Sequence, residues 1–82
     1  MMVRDAYVAI ADPTRREILD LLLQQLIMPA GEIASRFQRV SRPAISRHLR
    51  ILKECGVVQA VQSGKTQNYS VVVEPIREIR DE

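Results

Sequence analysis

One cysteine, Cys55, and one histidine, His48, are all that the chain holds of the two softest metal-ligating side chains. A closed zinc site of four Cys and His ligands is therefore impossible within one chain. An internal disulfide is excluded too, and nothing calls for an oxidising compartment. Aromatic side chains are scarce, limited to Tyr7, Phe37 and Tyr69. The three glycines are too dispersed to form a phosphate-cradling loop. No paired acid and base stands out, nor a nucleophile with a partner histidine, so an enzyme is the least supported class and no cofactor is expected. No apolar run approaches the roughly 20 residues that cross a bilayer. Nor does a basic-then-apolar leader open the chain, and a cytoplasmic protein is expected. Its 82 residues, without repeat or dividing linker, predict one domain over 1–82 with a thin core.

What the chain does have is concentrated positive charge. Between residues 36 and 53 lie six cations, Arg36, Arg39, Arg42, Arg47, Arg50 and Lys53, and no carboxylate. The whole chain holds 12 basic and 10 acidic side chains, so the remainder carries six against ten, a net −4. A carboxylate-free basic stretch in an otherwise acidic chain is the electrostatic footprint of a nucleic-acid reader. Charge on a helix is usually only a solvated face. The missing carboxylates, combined with the turn and cap described next, favour DNA contact instead.

Apolar spacing predicts a first helix over residues 3–11, with Val3, Tyr7 and Ile10 on one side. Asp12 is an N-cap candidate and Pro13 suits the first position of a second helix. That helix is predicted to reach about Gln24 and to bury Ile18, Leu19, Leu22 and Leu23. Leu26 to Met28 reads as a short extended piece ended by Pro29. A third helix is predicted over residues 30–37, with Ile33, Ala34 and Phe37 on one face. Arg39 to Ser41 forms the turn. Ser41 can cap a fourth helix that tolerates Pro43 in its first turn and stops near Cys55, with Gly56 behind it.

The period then changes to that of strands. Residues 57–62 and 67–73 predict a hairpin around Ser63, Gly64 and Lys65, with Gly64 supplying the positive φ of a tight loop. Pro75 introduces a last helical stub over residues 76–82. Four helices, a hairpin and a helix are the layout of a winged helix-turn-helix, mainly α with a β wing.

On the fourth helix Ile45, Leu49 and Leu52 fall at i, i+4 and i+7 and must face the core. Arg42, Ser46, Arg47, Arg50 and Lys53 are left for the opposite face. A recognition helix brings its N-terminal residues nearest the bases, so Arg42, Ser46 and Arg47 are the candidates for base edges. Arg50, Lys53, Arg36 and Arg39 are better suited to phosphates, which set register rather than read sequence. Ser41 would aim the helix N-terminus, itself a phosphate-binding feature. Lys65 at the hairpin tip would add affinity on flanking DNA. His48 reads as a packing residue or phosphate neighbour, Cys55 as a small apolar group, and Tyr69 as core or as packing against the fourth helix. Arg15 and Arg16 read as surface partners of Asp12 and Glu17 rather than as phosphate contacts.

The runs AIADPTRREILDLLL, PAGEIASRF, VSRPAISRHLRILKECGVV and QSGKTQNYSV, in that order, resemble the ArsR/SmtB family of bacterial winged-helix repressors. The resemblance spans roughly residues 6–73. It implies a homodimeric repressor on an inverted-repeat operator of double-stranded DNA, and repression of its own gene is expected. It also implies pairing through the first and last helices, here through Val3, Tyr7, Ile76 and Ile79. Metal-sensing members carry Cys-x-Cys where this chain reads Ala34, Ser35 and Arg36. Others use a histidine on the last helix, where this chain offers Glu78, Asp81 and Glu82 without one. The metal-independent branch is the better match. Gln62 opens the wing where an arginine is common. Two other classes compete: a winged-helix module docking on an acidic protein partner, and a ligand or redox sensor using Cys55.

Overall fold

The computed structural model describes residues 3–72, and side chains from residue 6 onward. Four helices come first: α1 (Val3–Ile10), α2 (Pro13–Gln25), α3 (Ala30–Ser35) and α4 (Arg42–Glu54). Three strands make one antiparallel sheet: β1 (Met28–Pro29), β2 (Val58–Ser63) and β3 (Thr66–Val71), in the order β1-β3-β2. The expected stub over residues 76–82 lies outside the described residues, as do Ile76 and Ile79.

The helix boundaries have local causes. Asp12 Oδ2 accepts hydrogen bonds from the backbone N–H groups of Thr14 at 2.8 Å and Arg15 at 3.1 Å, which caps α2 behind Pro13. Ser41 caps α4 by accepting from the Ala44 N–H at 3.2 Å. At the other end of α4, Gly56 has φ +80°. Its N–H reaches the Lys53 carbonyl at 3.0 Å, and the Val57 N–H reaches Leu52 at 3.2 Å. Those two bonds are a Schellman motif, which turns the chain directly from α4 into β2.

α3 is shorter than its apolar spacing predicts. It ends at Ser35, whose hydroxyl donates back to the Glu32 carbonyl at 2.7 Å. Phe37 follows in the turn, yet remains partly buried against the core. The hairpin turns on two residues, Gly64 and Lys65, flanked by the Ser63–Thr66 pair. Positive φ at Gly64 alone, +63°, is the pattern of a type II′ turn. β1 sits at the sheet edge, the place in a sheet where a proline such as Pro29 is tolerated.

The core lies where α2, α3, α4 and the sheet meet. Ile18, Leu22, Met28, Ile33, Ile45 and Leu52 are the largest fully buried side chains. Met28 and Ala60 flank Tyr69 in one row of the sheet, and Tyr69 packs half-buried against that core. Leu23 corrects the sequence reading: it is 56% exposed. The leucines at 21, 22 and 23 span more than one face of a helix, and here Leu22 takes the core while Leu21 is half-buried.

Candidate nucleic-acid interface

α3, the turn and α4 form the helix-turn-helix. The turn is held from within, by the Phe37 N–H on Ala34 at 3.2 Å and the Val40 N–H on Phe37 at 3.0 Å. Phe37 and Val40 plug it against the core. With Ile45, Leu49 and Leu52 buried, α4 has one inward face. Arg42, Ser46, Arg47, Arg50 and Lys53 are all exposed on the remainder. Arg42, Ser46 and Arg50 follow one another at i+4, so they share one line along the helix, with Arg47 beside it. Lys53, in the last turn, favours the negative end of the helix dipole.

Ion pairing separates these cations. Arg36 approaches Glu32 at 3.6 Å, one turn back across α3. Among the described residues, Arg39, Arg42, Arg47, Arg50, Lys53 and Lys65 pair with no carboxylate. Arg36 and Arg39 line an open depression of about 470 Å³, shared with Phe37 and with Thr14 and Glu17 of α2. The turn thus adds Arg39 to the exposed cations of the helix.

The hairpin projects Lys65 at its tip. Gln62 Nε2 donates to the Gly64 carbonyl at 2.9 Å, and Gln67 Nε2 donates to Gln62 Oε1 at 2.9 Å. Gln62 therefore ties both the turn and the opposite strand.

Sequence reasoning missed the role of Arg15 and Arg16. α1 ends without a basic residue or a glycine, leaving its last carbonyls in need of donors. Arg15 supplies two: Nε donates to Ala9 at 2.9 Å and Nη2 to Val8 at 3.1 Å. Arg16 Nη1 donates to Ile10 at 2.7 Å. These arginines cap α1 across the bend; among the described residues neither forms a surface pair with Asp12 or Glu17. The bare end of α1 followed closely by two arginines was the available signal.

Arg15 also reaches α4, its Nη1 lying 3.2 Å from His48 Nδ1. His48 Nε2 faces Asp12 Oδ2 at 3.9 Å. For Asp12, partial burial pushes the carboxyl pKa up. The backbone N–H of Arg15, the His48 ring, the Thr14 N–H and the Arg15 guanidinium together push it down further, leaving it lowered.

The apolar surface gathers partly on the first two helices. Tyr7 is 66% exposed, and Val8, Ile10 and Leu23 are exposed with it. Ile10, Pro13, Leu19 and Leu23 line an open groove of about 440 Å³ where α1 meets α2, together with the charged Arg16, Glu17 and Asp20. Leu26, Ile27 and Val61 are exposed elsewhere. No described helix is long and apolar enough to cross a membrane.

Comparison with known proteins agrees with this arrangement. Residues 12–60 match the family model described as bacterial regulatory protein, arsR family. The chain is 45% identical over 69 residues to the transcriptional repressor SdpR of Bacillus subtilis, covering 84% of this chain and 74% of that one. It is 36% identical to an uncharacterized HTH-type transcriptional regulator, MJ1325, of Methanocaldococcus jannaschii, over 92% of this chain and 83% of that one. Among solved structures, the ArsR family transcriptional regulator RHA00566 superposes with a TM-score of 0.80 at 25% identity, covering 94% of this chain and 82% of that one. With its helix-turn-helix, its antiparallel wing and these relatives, the chain belongs to the ArsR family of bacterial regulatory proteins and is a winged-helix, DNA-binding transcription regulator rather than an enzyme.

Proposed function

We propose that this regulator is a repressor, acting on its own gene, that binds an inverted-repeat operator as a homodimer with α4 in the major groove. The observation that carries this reading is the exposed face of α4, where Arg42, Arg47, Arg50 and Lys53 pair with no carboxylate among the described residues. Arg42, Ser46 and Arg47 read base edges, because they lie in the first two turns and Arg can pair bidentately with guanine. Arg36, Arg39, Arg50 and Lys53 hold phosphates, aided by the Ser41-capped N-terminus of α4. Lys65 holds flanking backbone from the wing.

Two half-sites one helical turn apart require two reading helices, so a dimer follows from the mode of recognition. Tyr7, Val8, Ile10 and Leu23 support it, as exposed apolar side chains on α1 and α2. Val3, Ile76 and Ile79 belong to the same proposed surface from the sequence. The residues do not fit a metal sensor. Positions 34 to 36 offer Ala, Ser and Arg, and the whole chain has one Cys and one His. Repression is therefore metal-independent in this reading, within one cytoplasmic domain.

The test is fluorescence anisotropy on the DNA upstream of the gene and on a scrambled duplex, across a salt series. Tight binding to the first, far weaker binding to the second, and a steep fall with salt are expected, since each neutralised phosphate releases counterion. Salt-insensitive or absent binding to both would instead favour a module that docks on an acidic protein partner.

A further inference from the structure

We propose that Arg15 is a positioning residue for DNA reading: it fixes the rotation of α4 against α1 by holding the Val8 and Ala9 carbonyls and His48 Nδ1 with one guanidinium. The proposal rests on α4 being the reading helix. Its starting point is the reach of a single side chain, with bonds of 3.1, 2.9 and 3.2 Å to two different helices. The guanidinium carries five donors in a planar fork and accepts nothing. His48 Nδ1 must therefore present its lone pair to Arg15, and the ring proton belongs on Nε2, the nitrogen that faces Asp12 Oδ2. Asp12 is in turn held by the Arg15 backbone N–H. Both nitrogens of the imidazole are thus addressed by the start of α2, one by Arg15 and the other by Asp12.

Such a grip adds something that the core does not. Ile45, Leu49 and Leu52 anchor α4 by apolar burial, which is non-directional and tolerates small rotations. A helix with its side chains is about 10–12 Å across, so a rotation of about ten degrees moves a surface group by about 1 Å. That is enough to spoil a hydrogen bond to a base edge. His48 is the neighbour of Arg47 in the chain, so a directional hold on its ring constrains the adjacent reading side chains. Through Val8 and Ala9 the same guanidinium refers α4 to α1, the helix proposed above to face a second copy.

The test uses a duplex enriched by the wild-type protein from a random-sequence library, and a shuffled duplex of the same composition. Arg15→Gln, His48→Phe and the double variant are compared for the affinity ratio between the two duplexes and for salt slope. Each single variant is expected to lower the ratio roughly tenfold, the worth of a charge-assisted hydrogen bond. The double variant is expected to fall no further, because both changes break one link. Salt slope should stay as in wild type, since no phosphate contact is lost. The only imidazole in the chain gives a second readout: its nitrogen NMR signals should report the Nε2–H form in wild type and lose that preference in Arg15→Gln.

If Arg15→Gln does not fold, His48→Phe carries the test. His48→Asn should then rescue the ratio, because its carbonyl can accept from Arg15. An unchanged ratio in both single variants overturns the proposal. So does a salt slope shallower by about 0.9 in Arg15→Gln, which would make Arg15 a phosphate contact. Failure of the wild type to enrich any duplex would sink the sequence-reading function itself, and this proposal with it.

Discussion

Gln67 donates from Nε2 to Oε1 of Gln62 at 2.9 Å, bridging the two strands of the wing one residue pair from its turn. The same Gln62 donates to the Gly64 carbonyl. At a position where an arginine would serve as a phosphate contact, this chain uses an amide to stiffen the tip that carries Lys65.

Two substitutions at Gln62 should therefore act in different ways. Gln62→Ala removes both bonds and should cost about 0.5–1 kcal/mol of stability, the usual scale for an exposed cross-strand pair. Gln62→Arg should tighten binding to all duplexes alike and make the salt slope steeper by about 0.9, one extra phosphate. Urea unfolding and anisotropy across a salt series measure the two effects. An unchanged slope in Gln62→Arg would mean that the wing does not approach the DNA backbone.

Asp12 predicts a defined acid dependence. Its carboxyl is lowered below the ordinary 3.8 when folded, so the stabilisation it gives is complete above that value and is lost as the pH falls through the folded pKa. Asp12→Ala should cost about 1 kcal/mol at neutral pH through loss of the α2 cap. Thermal melts of wild type and variant should converge in acid. A constant gap at every pH would place the stabilisation elsewhere.

Leu26 is the only described residue other than glycine with positive φ, +73° at ψ −47°. Backbone in such sparsely populated regions stores about 1–3 kcal/mol, and a glycine costs about 0.5–1 kcal/mol in chain entropy. The side chain is 73% exposed, so little packing is at stake. Leu26→Gly should accordingly raise stability by about 1 kcal/mol, seen as a higher urea midpoint with an unchanged slope. A lowered midpoint would show that Leu26 packs on something in solution.

Local chemistry made much of this fold legible in the sequence. Asp12 before Pro13, Ser41 before Pro43, and Gly56 and Gly64 each act within a few residues of themselves, and a period of 3.6 separates Ile45, Leu49 and Leu52 from the cations of α4. Leu23 was misread because a run of leucines carries no phase. The end of α3 was misread because Phe37 is drawn inward by the turn rather than by a helix. Arg15 shows the deeper limit. Its contact with His48 joins residues 33 apart, and no spacing rule announces a polar tie between elements that meet only after folding.

The central claim, that the exposed face of α4 reads base sequence, is tested most directly by Arg47→Ala. Its affinity would be measured on an enriched duplex and on a shuffled one, with Lys65→Ala as the comparison. Arg47→Ala should lose about 1–3 kcal/mol on the enriched duplex and much less on the shuffled one. Lys65→Ala should weaken both alike. Full retention of both affinity and sequence preference in Arg47→Ala would contradict the account, and would mean that α4 does not present this face to the bases.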